Sequence, residues 1–393
     1  MLEKVVQSLR TIRSEILLPP MAREERRLDL HGRISDDPGI TAAVNLATAW
    51  LCRAQDCSLS MDGGVARHFS LVTGWSESYP EITGYVVPTL ISVAEKRNDA
   101  ALRERARRMV DWLVSIQLPD GGFQAGTIGA RPLVPTIFNT GQILLGLATA
   151  VRVWGKEYLR PMHRAAEWLV AAQDSDGCWR RFASPFARPG EKTYYTHVAW
   201  GLFEAARVAP ATPYADAALQ NIRWTIDQMR PNGWLEQCCL DMPAAPLTHT
   251  IGYALRGLVE AYRFTQNADL LNACLCTADG VLTALRADGF LPGRLDANWR
   301  GTVSWTCLTG NLQIAISWLM LYQNTGDERY RKAASAVNRF VRRTLHVDGG
   351  RDTRGGIKGS FPVSGDYGKF EYLAWAVKFF VDANLLEQEV DSQ

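Results

Sequence analysis

The sequence predicts an all-α fold, a closed (α/α)6 toroid of six helical hairpins with an extra N-terminal helix. Three observations predict it. First, Asp-Gly or Asn-Gly turns recur at 62–63, 120–121, 176–177, 232–233, 288–289 and 348–349, in steps of 58, 56, 56, 56 and 60 residues. A fixed period marks a repeat architecture, and this one has room for two helices and a loop. Second, two kinds of helix alternate between the turns. Third, there are six units and no polar capping unit, which favours a closed ring over an open superhelix.

The elements follow in order. Leu2, Val5, Val6, Leu9, Ile12 and Ile16 fall at helical spacing. They predict an amphipathic helix docked on the main body, since charges of both signs line its polar face. The run REERR at 23–27 reads as a solvated face. Residues 1–36 are thus an N-terminal helix and connector, and 37–393 a single toroid domain. ITAAVNLATAWLCRAQ at 40–55 supplies the first outer helix. Further outer helices are predicted at 100–117, 157–172, 213–230, 267–286 and 327–344. RERARRMVDWLVSIQ shows their character, charged on one face with Val110, Trp112, Leu113 and Ile116 on the other. Inner helices are predicted at 82–96, 139–154, 195–208, 248–265, 308–324 and 368–385. GQILLGLATAVRVW and HVAWGLFEAARV are apolar around most of their circumference, as helices buried on several sides must be.

Composition narrows the function. The chain is 47% hydrophobic and 21% charged, with a net charge of +2. That balance gives no basic stripe for nucleic acid. No run approaches 18 apolar residues, and charges interrupt the N-terminus, so neither a membrane span nor a signal peptide is expected. The eight cysteines form no CxxC pair, and free thiols in the cytoplasm are expected. Cys238, Cys239 and Cys307 with His249 have scattered spacing and read as structural thiols rather than zinc ligands. No metal or other cofactor is expected.

QLPDGGF (117–123) and QDSDGCW (173–179) resemble the QxxDGxW/F repeat of the squalene-cyclase and prenyltransferase toroid superfamily. The resemblance implies a structural tie between hairpins for Gln117, Asp120, Phe123, Gln173, Asp176 and Trp179. The chemistry of those families does not carry over: neither a DxDD acid motif nor their Asp/Cys/His zinc set is recognisable. SYPEITGY (78–85), YYTHVAWGL (194–202), THTIGYALRGL (248–258) and GGIKGSFP (355–362) look more like bacterial toroid proteins associated with polysaccharide biosynthesis. The fold also resembles six-hairpin glycosidases, polysaccharide lyases and sugar epimerases.

In a toroid the six inner helices start at one mouth, where free N–H groups and positive dipole ends favour anions. The residues there form the candidate site. Glu81, His197, His249, Tyr195 and Asp366 are the acid–base candidates. Trp75, Tyr79, Tyr85, Asn139, Gln142, Tyr253, Trp305, Asn311, Lys358 and Tyr367 are the substrate-binding candidates. Aromatic faces stack on sugar rings, and amides and carboxylates bond hydroxyls. TGY (83–85), TGQ (140–142), IGY (251–253) and TGN (309–311) place a glycine where each helix start packs on its neighbour. The ordinary alternatives are that Glu81 complements a helix N-terminus, that the histidines are satisfied core groups and that the tyrosines and tryptophans are packing anchors.

These readings predict a cytoplasmic enzyme acting on a glycan or an activated or lipid-linked saccharide in exopolysaccharide, capsule or O-antigen biosynthesis. An acidic sugar and hydrolase, lyase or epimerase chemistry are expected, with peripheral contact to a membrane polysaccharide assembly complex. An isoprenoid-handling toroid would instead need a deep cavity with few charges. A non-catalytic glycan-binding scaffold would lack an acid–base pair.

Overall fold

The computed structural model describes residues 18–32 and 35–392. The helix predicted over Leu2–Ile16 lies outside these residues. Among the described residues, helix α1 (Pro20–Leu30) is followed by twelve α-helices that alternate in position. The outer set is α2 (Ile40–Asp56), α4 (Ala100–Ser115), α6 (Leu159–Ala172), α8 (Tyr214–Asp227), α10 (Ala268–Leu282) and α12 (Glu328–Arg342). The inner set is α3 (Pro80–Arg97), α5 (Ile137–Trp154), α7 (Thr196–Val208), α9 (Thr248–Thr265), α11 (Leu308–Thr325) and α13 (Ala374–Asp391). Each inner helix packs on the next, and α13 returns to α3. The fold is the all-α (α/α)6 toroid.

The turns explain the ring. Asp62, Asp120, Asp176, Asn232 and Asp288 each accept, through Oδ1, the backbone N–H two residues on, at 3.0–3.2 Å. The glycine after each has positive φ. A Cβ on Gly121, Gly177, Gly233 or Gly289 would sit 2.3–2.5 Å from a backbone carbonyl of the next outer helix. Gln117 Nε2 donates to the carbonyls of Gly121 and Pro161, both at 2.9 Å, and Gln173 Nε2 donates to those of Gly177 and Ala217 at the same distance. Each glutamine therefore ties its own turn to the following outer helix. Gln55 makes the same pair of contacts, to Gly63 and Arg105, from a longer sequence spacing.

The sixth turn departs from expectation. Gly349 has no positive φ, and the equivalent place is taken by Gly355 (φ +83°), where a Cβ would lie 2.2 Å from the Leu46 carbonyl on α2. The last turn thus lands on the first outer helix. The same seam carries a strand pairing. β1 (His68–Ser70) is flanked antiparallel by β2 (Gly74–Trp75) and β5 (Glu371–Leu373), while β3 (Thr306–Cys307) pairs with β4 (Ser360–Phe361). The predicted helix from 368 accordingly starts only at Ala374, because β5 is committed to β1.

REERR is not uniformly solvated. Glu25 and Asp29 are buried and hold the Lys358 ammonium at 2.7 and 2.6 Å. His346 Nε2 also contacts Glu25 at 2.7 Å, and Asp29 accepts the Val363 N–H at 2.7 Å. Burial would raise the Glu25 carboxyl, but His346 and Lys358 outweigh it and bring it down to about 2. Helix α1 is therefore pinned to the β4 region.

Two outcomes are expected. Replacing Gln173 by Ala frees two carbonyl contacts and should cost about 1–3 kcal/mol in urea unfolding, with helical circular dichroism retained. Replacing Lys358 by Met leaves two buried carboxylates without their cation and should cost about 3–5 kcal/mol. Adding Glu25→Gln and Asp29→Asn to that variant should recover part of the loss; no recovery would show that the loss does not come from the unpaired carboxylates.

Candidate active site

The inner helices meet as their glycines allow. A Cβ on Gly84 would lie 2.5 Å from the Ile143 Cα, one on Gly141 2.9 Å from the Val198 Cα, and one on Gly310 2.5 Å from the His249 nitrogen. These approaches draw the helix starts inward until their side chains touch. The ring centroid of Phe138 on α5 lies 4.9 Å from that of Tyr253 on α9, and His197 on α7 lies 4.5 Å from the same Tyr253. His249 is 4.4 Å from Tyr253 and 5.0 Å from Tyr367. Phe379 on α13 meets Tyr253 at 6.1 Å and Tyr85 at 5.8 Å. Contacts from α5 to α9 and from α13 to α3 and α9 give the ring an aromatic floor and make it a bowl rather than a pore.

Glu81 stands in the first turn of α3, after Pro80. Its side chain is half-buried, and this desolvation pushes its carboxyl up to about 8 against the opposing pull of the Arg67 cation. It is therefore protonated at neutral pH. Its charged form would raise the Tyr79, Tyr85, Tyr253 and Tyr367 hydroxyls, whose pKa values burial already lifts. The same holds for Tyr194, so all five tyrosines lie within electrostatic reach of Glu81.

Arg67 immediately precedes β1. Its Nη1 contacts His68 Nδ1 at 2.7 Å and donates to Glu371 Oε2 at 3.2 Å, and its guanidinium lies 5.1 Å from the centroid of the Trp375 ring. The β1–β5 pairing sets Ser70 opposite Glu371 and His68 opposite Leu373, so the seam of the ring delivers this cation to the bowl.

The two histidines share a pattern and differ in access. His197 Nδ1 meets Gln142 Oε1 at 2.6 Å, and His249 Nδ1 meets Gln313 Oε1 at 2.9 Å. An amide oxygen only accepts, so each Nδ1 carries the proton and each Nε2 keeps its lone pair. Burial lowers both, His249 to about 4 and His197 well below the usual range. His197 is 1% exposed, with Nε2 buried and unpartnered, whereas His249 is 6% exposed. His249 is the better placed to meet a ligand as a neutral base.

Three other buried polar atoms of the inner ring, Gln142 Nε2, Asn311 Nδ2 and Gln313 Nε2, have no hydrogen-bond partner among the described residues. Such atoms are rare in folded proteins, and water or a polar ligand satisfies them where either can reach.

The structure brings together Glu81, Tyr79, Tyr85, His197, His249, Tyr253 and Tyr367. Gln142 orients a histidine. Asn139 donates to the Gln124 carbonyl at 2.8 Å, and Asn311 Oδ1 accepts from Thr306 at 3.1 Å. Five candidates depart from the expectation. Tyr195 is a buried packing residue between Tyr194, Phe138 and Trp179, at 5.2, 6.3 and 6.5 Å, and Cys178 raises its hydroxyl further after burial. Trp75 packs on Trp50 and Phe69 and donates to Asp352 at 3.1 Å. Trp305 is held between Gly293 and Gly365. Lys358 is taken up by α1. Asp366 is exposed in the loop between β4 and β5. The sequence reading missed Arg67 and Trp375, since the strands that align them are only two or three residues long and carry no readable period.

No protein-family model matches the chain, and no curated protein matches it. Solved structures do. An unsaturated glucuronyl hydrolase specific for heparin is similar at 18% identity and a TM-score of 0.72, covering 90% of this chain and 98% of its own. A D-mannose isomerase matches at 11% identity and 0.71, covering 89% and 97%. The cellobiose 2-epimerase of Bacillus thermoamylovorans matches at 11% identity and 0.65, covering 93% and 98%. At such identities the likeness establishes the toroid fold.

The electrostatics make a measurable prediction. With glutamate carboxyls followed by 13C NMR, one resonance should titrate near pH 8 and vanish in Glu81→Gln. In Arg67→Ala it should titrate higher, because the cation that favours the carboxylate is gone. A Glu81 carboxyl titrating near pH 4 would overturn this account of the bowl.

Proposed function

We propose that the protein is a carbohydrate-active enzyme that moves protons on an acidic sugar, with hydrolase- or epimerase-type chemistry. The observation that carries this is Glu81, protonated at neutral pH and enclosed with Arg67 and neutral His249 in an aromatic bowl. Glu81 acts as general acid toward a glycosidic or ring oxygen. The Nε2 of His249 acts as base toward water or a sugar C–H. Arg67, already aligned by Glu371, attracts the sugar carboxylate. Tyr367, less buried than Tyr253 and Trp375, offers a ring to the sugar, and the unpartnered amide donors suit hydroxyls.

The three structural neighbours support this reading, since by name they are a glucuronyl hydrolase, an isomerase and an epimerase. The charges and histidine lone pairs around the bowl disfavour an isoprenoid occupant. The resemblance of residues 78–85, 194–202, 248–258 and 355–362 to bacterial toroid proteins supports a place in polysaccharide biosynthesis. There the substrate would be an acidic or lipid-linked saccharide, handled in the cytoplasm beside a membrane assembly complex. Among the described residues no helix is long and apolar enough to cross a membrane.

The test is turnover of saturated and unsaturated uronyl oligosaccharides in D2O, read by NMR. Hydrolysis releases a new reducing end, while epimerisation places deuterium at a sugar carbon. Glu81→Gln should lower kcat/KM by about 10²–10⁴. The wild-type profile should be flat between about 4 and about 8. It should fall below as His249 takes a proton and above as Glu81 loses one. Full activity in both Glu81→Gln and His249→Ala would exclude this mechanism.

A further inference from the structure

The opposite end of the ring holds a second chamber. A cavity of about 400 Å³ opens among the later turns of α3, α5, α7 and α9, lined in part by Arg152, Arg207, Arg256 and Arg263. Four guanidiniums there face two carboxylates, Glu204 and Glu260.

The hydrogen bonding leaves donors over. Glu260, 3% exposed, is shared: Arg256 reaches it through Nε at 2.9 Å and Nη2 at 2.7 Å, and Arg263 through Nη1 at 3.3 Å. Glu204 accepts from both Trp200 Nε1 and Arg207 Nε at 3.2 Å, so Arg207 spends only Nε on it. Arg152 is exposed and has no acidic partner among the described residues. Arg256 is fixed: its guanidinium lies 4.2 Å from the Trp200 ring centroid, and its side chain is 13% exposed. Beside it Lys378, buried and paired with Asp382 at 2.7 Å, adds a further cation–carboxylate pair and no net charge. Helix C-termini favour cations, which lets Arg152, Arg207 and Arg263 gather in the last turns of α5, α7 and α9. That dipole does not occupy their Nη donors.

We infer that this chamber is a second binding site, for a phosphate-type dianion such as the phosphate end of a sugar phosphate or nucleoside diphosphate. Forked guanidiniums match phosphate oxygens in pairs, and the excess of two cations favours a ligand of more than one negative charge. The site is independent of the bowl. One aromatic contact separates the two, since the Trp200 ring meets His197 edge-on at 5.0 Å.

The probe is inorganic pyrophosphate, titrated calorimetrically at low salt into the full chain. Saturable one-to-one binding is expected, weakened at least about tenfold in Arg152→Ala/Arg207→Ala, which removes two exposed cations outside the core. Arg160→Ala, the same kind of change outside the chamber, should bind as wild type. Arg67→Ala should also bind as wild type, because Arg67 belongs to the bowl. The inference is overturned if wild type shows no saturable binding at millimolar pyrophosphate. It is also overturned if the double variant binds unchanged, or if Arg67→Ala abolishes binding and so places the anion in the bowl.

Discussion

Closure of the ring is the constraint on which everything else depends, and it is made by backbone pressed on backbone. Gly121, Gly177, Gly233 and Gly289 each bear on the next outer helix with no room for a Cβ, and Gly355 bears on the first. Side chains could not hold that spacing, since any would push the turn off the carbonyl it rests on. Gln117 and Gln173 then join the two sides with paired hydrogen bonds. The seam between last and first units has extra reinforcement. Arg342 on α12 binds Asp37 ahead of α2 and both Asn384 and Glu387 on α13, while β1 pairs with β5. A ring needs that seam most, because it is the one interface no chain connectivity supplies.

The chemistry follows from the closure. Six hairpins held at fixed spacing force the inner helix starts together, and the glycines there let them approach until aromatic rings meet across the axis. Glu81 has nowhere to go but into this enclosed space. Its elevated pKa comes mainly from lost hydration, with Arg67 as the counterweight. The seam that closes the ring also carries Arg67 and Glu371, so the same strand pairing serves both the fold and the candidate site.

Much of the architecture was legible because it repeats. Five Asp or Asn residues recur with the same turn bond, and the two helix types differ in how much of their surface is apolar. What did not repeat was hidden. Gly355 replaces Gly349 because an insertion lengthens the last unit, and Gln55 does the work of Gln173 from a different spacing. Helix α1 was misread because its charges looked solvated, although Glu25 and Asp29 face a lysine more than 300 residues away. Glu81, His249 and Tyr253 were legible as openers of inner helices. Arg67 and Trp375 were not, since only a three-residue strand and its partner bring them to the bowl.

His197 and His249 show why equal sequence position does not mean equal role. Both open an inner helix, and both give Nδ1 to a glutamine of a neighbouring inner helix. His197 reaches back to Gln142 on α5, and His249 reaches forward to Gln313 on α11. The direction decides the outcome. Turned back, His197 is enclosed by Phe138, Tyr253 and Trp200 rings and forms part of the wall between the bowl and the chamber behind it. Turned forward, His249 keeps an edge toward Tyr367 and the open side. A symmetric ring thus acquires an asymmetric centre through which neighbour each residue chooses, and of the two histidines only His197 has its Nε2 shut away from solvent.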